Sequence, residues 1–305
     1  MTSKQKVVAV LGLLNAATVW GLIWYPYRVL AHDGVSGELA TLLTYAIAVV
    51  FGLFFAGPIW RELRTAGWWG LALALAAGWT NIGYVWGVLG GQVMRVLLLF
   101  YLAPLWTVLL SRLLLGERLS GRGYIIIALS LCGAFVMLWQ PELGLPAPRN
   151  AAEWVGMSAG MAFAMTNVLV RRMQETSIEF KNIAVLSGAA LLAAAVLLFE
   201  SGLPEKIQII TVSSWELMLV IGLVLFATGM AMQYGLTALP ANQAIILLMF
   251  ELVVAAVSSY FLAGEAMDAR EYAGAILIVM ASLFSGKLYE QDAQSDSSGR
   301  IFNEQ

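Results

Sequence analysis

The stretch Leu186–Phe199, LSGAALLAAAVLLF, is apolar almost throughout and contains no charged residue. A strand of a membrane barrel alternates apolar and polar residues over about ten positions, and this stretch shows no such alternation. A helix that crosses the hydrocarbon of a bilayer needs about 20 mostly apolar residues. With the residues that precede it, the stretch reaches that length and predicts a membrane-spanning α-helix.

Comparable stretches recur along the whole chain, and about ten of them are long enough to cross a bilayer. The predicted spans are residues 7–31, 37–57, 66–89, 92–115, 120–140, 151–173, 180–199, 214–236, 239–263 and 269–287. Two boundaries are short, since only Gly90–Gly91 separate the third and fourth spans and Ala238–Pro240 the eighth and ninth. The predicted fold class is therefore an all-α integral membrane protein, followed by a disordered cytoplasmic tail at 288–305.

The composition leads to the same class. Hydrophobic residues make up 60% of the 305 residues and charged residues 12%, whereas a soluble protein carries roughly 25% charged residues. One cysteine excludes an intrachain disulfide, and one histidine leaves little scope for a zinc site or a histidine-based catalyst. The net charge of −2 provides no basic surface for nucleic acid. We therefore expect the lipid bilayer as a partner, and no metal, cofactor, catalytic residue or nucleic acid.

The positive charges predict how the chain is threaded through the membrane. With ten spans and a cytoplasmic N-terminus, 12 of the 17 Lys and Arg residues lie on the cytoplasmic side, as the positive-inside bias requires. The remaining five are Arg28, Arg95, Arg149, Lys206 and Arg270. Fusing the spans at either short boundary would place the later charges on the wrong side. Both termini are thus predicted to be cytoplasmic.

The chain also repeats itself at an offset of about 148 positions. The matching pairs are Gly87 and Gly235, Ser111 and Ser259, Glu117 and Glu265, Arg122 and Arg270, and Tyr124 and Tyr272. A slightly shorter offset pairs Trp20 with Phe163. Each half, 1–145 and 146–287, contains five spans, and an odd number makes the second half enter the membrane from the opposite side. Inverted repeats are the architecture of secondary transporters; a duplication retained for packing alone is the alternative.

The run Leu102-Ala-Pro-Leu-Trp106, the run Leu115-Gly-Glu-Arg-Leu119 and their echo Phe261-Leu-Ala-Gly-Glu265 resemble the drug/metabolite transporter superfamily. The likeness is to its ten-helix form with two EamA-type halves, and it includes Trp20–Gly21 in the first span. Within the superfamily the chain most resembles bacterial inner-membrane exporters of aromatic and other amino acids. The sequence departs from the EamA pattern at Leu252, where the counterpart of Pro104 is missing. The ninth span therefore has no proline at this position that would predict a kink.

Glu251 lies near the middle of the ninth span, where an ionised carboxylate costs roughly 2.5–3.5 kcal/mol on insertion scales. Such a residue faces the interior of a helix bundle or water. One interpretation is that Glu251 receives a substrate ammonium group or a coupling proton. The other is that its carboxyl only hydrogen-bonds a neighbouring helix.

Arg95 begins the fourth span and has two interpretations. A guanidinium matches a carboxylate with two parallel hydrogen bonds, so Arg95 is a candidate for binding a substrate carboxylate. Because it lies within a turn of the span end, its side chain could instead extend to the non-cytoplasmic interface.

Uncharged polar and aromatic side chains at mid-depth complete the candidate substrate site. Amides that faced lipid would lack hydrogen-bond partners, so we expect them to face inward. Hydrogen bonding between helices is the alternative for each one. Together with Arg95 and Glu251, the candidate residues are Trp20, Asn81, Tyr84, Tyr101, Phe163, Asn167, Gln233 and Gln243.

These observations predict a secondary transporter in the bacterial inner membrane that exports small metabolites, amino acids above all, by alternating access. Alternative cargo, such as drugs or nucleotide sugars, is compatible with the same fold. An intramembrane lipid-modifying enzyme would need clustered Asp, His or Cys at matched depth, and a channel a ring of like residues or a filter loop. Neither pattern is evident.

Overall fold

The computed structural model describes residues 2–55, 57, 59–139, 147–199, 212–264 and 268–302. Over these residues the chain forms α-helices and no β-strand. The helices in chain order are α1 (Ser3–Leu22), α2 (Trp24–His32), α3 (Gly37–Phe55), α4 (Ile59–Ala66), α5 (Trp68–Gly90), α6 (Val93–Phe100), α7 (Ala103–Leu114), α8 (Gly121–Leu138), α9 (Ala151–Arg172), α10 (Ile178–Phe199), α11 (Val212–Ala238), α12 (Ala241–Leu248), α13 (Phe250–Ala263) and α14 (Ala269–Phe302).

Eight stretches within the described residues are long and apolar enough to cross a membrane, where the sequence predicts ten. They are Ser3–His32, Gly37–Phe55, Trp68–Val88, Val93–Leu114, Gly121–Leu138, Ile178–Phe199, Ser214–Ala238 and Ala241–Ala263. The two predicted spans outside this set are α9 and α14. Helix α9 has 22 residues but is less apolar, because its first turn contains a glutamate and it ends with two arginines.

Close contacts show that α9 and α14 nevertheless run through the bundle. Along α5 and α9, Gly83 faces Ala159 and Gly90 faces Ala152, so these two helices are antiparallel. A Cβ atom on Gly274 of α14 would lie 2.5 Å from the carbonyl oxygen of Gly133 in α8, and these helices are antiparallel too. Ten traverses of the bundle follow. We call the face where α1 begins the N-side and the opposite face the far side.

The packing between the two halves is symmetric. The third span packs against the sixth (α5 with α9), and the eighth packs against the first (α11 with α1). The fourth span packs against the sixth (α6 and α7 with α9), and the ninth packs against the first (α12 and α13 with α1). Each contact between a span of one half and a span of the other therefore has a counterpart in which the two halves have exchanged roles. Since α1 leaves the N-side whereas α9 arrives there, the two five-span halves are inverted repeats.

Both short boundaries that the sequence predicts are present. Helix α5 ends at Gly90 and α6 begins at Val93, while α11 ends at Ala238 and α12 begins at Ala241. Helix α14 is helical through Phe302, including the segment for which the sequence predicts disorder. The disorder of the tail and the division of the chain at 145 and 287 stay predictions.

The fourth and ninth spans are each interrupted near mid-depth. In the fourth, α6 ends at Phe100 and α7 begins at Ala103, with Pro104 at the start of α7. Pro104 has no N–H to give to the Phe100 carbonyl, which explains this interruption. In the ninth, α12 and α13 meet at Met249 without any proline. The amide of Leu252 there bonds the Met249 carbonyl at 3.1 Å, three residues back instead of four. The missing proline thus does not abolish the interruption.

Candidate functional site

Glu251 lies in the first turn of α13, immediately after the interruption at Met249. Its side chain is half-buried in the interior of the bundle. The backbone carbonyl of Glu251 faces Gly21 of α1, where a Cβ atom would lie 2.7 Å from that oxygen. Close packing against the first span therefore holds the carboxyl-bearing turn in place.

The two interrupted spans meet through their polar side chains. Tyr101, which lies in the interruption of the fourth span, is close enough to the carboxyl group of Glu251 to interact with it electrostatically. Tyr84 of α5 is close enough to interact electrostatically with the same carboxyl. Tyr101 is 8% exposed. Three side chains that the sequence singles out, from spans three, four and nine, are thus brought together.

An aromatic wall borders this carboxyl. The ring of Phe100 lies 5.4 Å from that of Tyr84 and 5.4 Å from that of Tyr101, both edge to face. On its other side, Phe100 stacks on Phe163 of α9 at 5.7 Å. These distances are the preferred range for aromatic pairs. The wall adds Phe163 to the group around Glu251 and gives the site an apolar surface beside its one carboxyl.

Trp20 and Asn81 are placed elsewhere. Trp20 of α1 packs against apolar clusters of the core. The side-chain oxygen of Asn81 accepts from the hydroxyl of Tyr45 in α3 at 2.9 Å, and its amide nitrogen donates to the Ala77 carbonyl at 3.1 Å. Asn81 is therefore used in a contact between helices in this structure.

Arg95 forms a buried ion pair on the far side. Its Nε lies 2.8 Å from Oε1 of Glu153 and its Nη2 lies 3.0 Å from Oε2, while Nη2 also donates to the Ala147 carbonyl at 2.8 Å. Both side chains are 4% exposed or less. The guanidinium thus binds a carboxylate of the chain with two parallel hydrogen bonds, the geometry that the sequence analysis anticipates for a substrate carboxylate.

Glu153 is a residue that sequence reasoning misses. Its amide nitrogen bonds the side chain of Asn150, which caps α9, and its carboxylate accepts from the amide of Arg149 at 2.9 Å. The motif Asn150-x-x-Glu153 has the spacing of a helix-capping box, and that spacing is the signal that could have indicated it.

The three buried amides of the candidate set lie in the N-side half. Asn167 of α9 and Gln243 of α12 are 0% exposed, and Gln233 of α11 is 2% exposed. Both polar side-chain atoms of Asn167 and of Gln243, and the oxygen of Gln233, have no hydrogen-bond partner within the described part of the chain. Buried polar groups are rarely left unpaired, which makes these amides candidates for contact with water or substrate.

A polar network at the N-side edge is a second feature that the sequence does not reveal. Lys181 of α10 is 0% exposed, and its Nζ donates to the hydroxyl of Thr237 at 2.9 Å. The backbone carbonyl of Thr237 accepts from Arg171. Arg171 in turn pairs with Glu117, whose second oxygen accepts from the amide of Ala241 at 3.0 Å. The network joins the ends of spans four, six, seven, eight and nine.

The comparisons with known proteins agree with this architecture. The pattern of the EamA-like transporter family matches residues 7–139 and again residues 150–286. An uncharacterized transporter of Archaeoglobus fulgidus is 26% identical over 274 residues, which are 90% of this chain and 94% of that protein. A solved structure described only as a crystal structure of a protein has a TM-score of 0.69 at 19% identity and covers 90% of this chain and 94% of its own. That likeness concerns the fold.

Other relatives match over a shorter range. The chloramphenicol-sensitive protein RarD of Pseudomonas aeruginosa is 30% identical over 146 residues, 44% of this chain and 46% of that protein. An uncharacterized transporter of the same organism is 29% identical over 171 residues, 53% of this chain and 54% of that protein. The chain thus spans about half of the length of these two relatives.

Proposed function

The chain belongs to the EamA-like transporter family, and from this premise we propose that it is a secondary transporter that exports small metabolites, amino acids above all, across the bacterial inner membrane. The N-side is the cytoplasmic side in this proposal, because it receives most of the positive charge. Both chain termini are then cytoplasmic. Relatives from Pseudomonas aeruginosa and Archaeoglobus fulgidus are named uncharacterized transporters, and the proposal is accordingly for transport without catalysis.

The observation that carries the proposal is the proximity of Tyr101 to the carboxyl group of Glu251. Each residue lies at the interruption of its own span, and the two spans are counterparts in the inverted repeats. Secondary transporters of this architecture place their substrate at interrupted helices near mid-membrane. A carboxylate suits an ammonium group, and the aromatic wall of Phe100, Tyr84 and Phe163 suits the side chain of an aromatic or other neutral amino acid.

The symmetry of the contacts supports alternating access. Because the halves are inverted copies, a conformation that closes one face has a counterpart that closes the other when the halves exchange roles. On the far side, Arg95 of the first half binds Glu153 of the second. On the N-side, Glu117 of the first half binds Arg171 of the second. Contacts of this kind between the halves are the ones that would form and break as the central site changes face.

The test is counterflow in proteoliposomes that contain the purified protein. Liposomes preloaded with one unlabelled amino acid are mixed with its radiolabelled form, and the panel covers aromatic, aliphatic and polar amino acids. The proposal expects protein-dependent accumulation of the label for aromatic or other neutral members. Exchange of no amino acid would contradict it. Chloramphenicol belongs in the panel because the aromatic wall suits an aromatic drug and one relative is named for sensitivity to it.

A further inference from the structure

An open cavity of about 510 Å³ lies at the N-side of the bundle, away from the Tyr101–Glu251 site. Its walls come from the end of α4, the start of α5, the end of α7 and the end of α9. Trp69, Leu115 and Met173 provide apolar surface, and Arg172 covers the Trp69 ring at 4.4 Å. A cavity of several hundred Å³ with a few placed charges is typical of a small-molecule site.

Four charged residues line this cavity, and two of them, Glu117 and Arg171, pair across the two halves of the protein. The Arg171 Nε lies 3.4 Å from the Glu117 Oε1, and the two side chains are 22% and 20% exposed. A strong charge-assisted hydrogen bond measures about 2.7–2.9 Å. The pair is therefore loose and partly exposed. The Arg95–Glu153 pair, by contrast, is short, bidentate and sealed from solvent.

The loose pair holds the ends of the eighth and ninth spans. Glu117 accepts from the amide of Ala241, the first residue of α12, and Arg171 donates to the carbonyl of Thr237 near the end of α11. The unpaired amides lie directly behind: Asn167 is one helical turn from Arg171 on α9, and Gln243 is two residues beyond Ala241. Opening the pair would release these helix ends and let water or substrate reach the amides.

We infer that the cavity is a docking site for a zwitterionic substrate, which opens the N-side by exchanging partners with the Glu117–Arg171 pair. The substrate carboxylate takes the place of Glu117 on Arg171, and its ammonium group takes the place of Arg171 on Glu117. The exchange keeps each charge paired, so it costs little. The apolar wall around Trp69 receives the substrate side chain. This inference rests on the proposed function and adds a first binding step on the N-side.

Uptake into inside-out membrane vesicles tests the inference, because the N-side then faces the medium. The probe is radiolabelled L-phenylalanine, or L-leucine if the counterflow panel favours aliphatic amino acids. Glu117→Gln and Arg171→Gln should each raise the KM for uptake roughly tenfold or more, since each removes a charged partner. Glu216→Gln is the matched control: Glu216 is exposed near the start of α11 and lies outside the cavity, so the KM of this variant should equal that of the wild type.

Two further measurements separate docking from a structural ion pair. If the pair were only structural, the neutral double variant Glu117→Gln/Arg171→Gln would recover, because no charge is left without its partner; docking predicts that it stays as impaired as either single variant. Phenethylamine and 3-phenylpropanoate, which lack the carboxylate and the ammonium group, serve as competitors. Arg171→Gln should abolish competition by 3-phenylpropanoate and retain competition by phenethylamine.

The possible results are distinguishable. Uptake by the wild type with the same KM in the Glu117→Gln and Glu216→Gln variants would overturn the docking site and leave the proposed function standing. No uptake of any amino acid by the wild type would overturn both.

Discussion

Arg95 and Glu153 join the first repeat to the second through two hydrogen bonds of 2.8 and 3.0 Å, with both side chains almost completely buried. Removing one partner of such a pair leaves a buried charge without compensation and costs about 3–5 kcal/mol. Glu153→Gln is therefore expected to lower the thermal unfolding temperature of the purified protein clearly. The double variant Arg95→Met/Glu153→Leu should lose much less stability, because apolar residues of similar volume need no partner. A larger loss in the double variant than in Glu153→Gln would refute this explanation.

The approach of α9 to the interrupted fourth span gives a second prediction. A Cβ atom on Gly160 would lie 2.3 Å from the carbonyl oxygen of Phe100, the carbonyl that Pro104 leaves without its usual donor. Gly160→Ala should destabilise the protein by about 1–3 kcal/mol, as overpacking does. Gly121→Ala is the control, since nothing lies within 4 Å of a Cβ there. Equal unfolding temperatures for the two variants would show that the helices separate easily at Gly160.

The buried amides give a third prediction. Both polar side-chain atoms of Gln243 are buried without a partner in the described part of the chain, and an unsatisfied buried polar group costs about 1–3 kcal/mol. Gln243→Met should therefore raise the unfolding temperature. It should also lower transport, because in the docking inference this amide contacts water or substrate when the N-side opens. A control is Gln92→Met at the exposed start of α6, which should change neither. Lower stability of Gln243→Met would mean that the amide is satisfied after all.

The inverted threading gives a fourth prediction. Arg122 and Arg270 are counterparts in the two repeats, and the ten traverses place them on opposite faces. Arg122→Cys and Arg270→Cys are made in a background in which Cys132, the only native cysteine, is replaced by alanine. A membrane-impermeant maleimide applied to intact cells should label the cysteine at 270 and leave the one at 122 unlabelled. Labelling of both from the same side would exclude inverted halves.

The sequence predicts the path of the chain well because that path depends on local composition. Apolar length and the uneven distribution of Lys and Arg correctly place the boundaries at Gly90–Gly91 and Ala238–Pro240. The sequence does not predict the interruption at Met249, because no proline follows it in the position that Pro104 occupies in the fourth span. In the structure the helix tightens there without one, and the turn that follows packs on Gly21.

The candidate site was predicted only in part. The structure brings together Tyr84, Tyr101, Phe163 and Glu251. They lie at mid-depth on inward helix faces, and such faces pack against one another in the interior of the bundle. The partners of Arg95 and Arg171 could not be read from the chain, since Glu153 and Glu117 are 58 and 54 positions away. Pairing across such distances is decided by how the two halves pack. The charge distribution likewise assigns Lys181 to the cytoplasmic edge of the membrane, but it does not predict that this side chain is fully buried beside Thr237.

The proposed function depends on the carboxyl of Glu251, which binds the ammonium group of the transported amino acid or accepts a coupling proton. Its most direct test is counterflow by the Glu251→Gln variant, compared with wild type and Glu216→Gln over a range of pH. We expect Glu251→Gln to lose most of its transport, or to transport at a rate that no longer varies with pH as in the wild type, while Glu216→Gln behaves as wild type. Unchanged transport by Glu251→Gln at every pH would show that the carboxyl serves only to pack one helix against another.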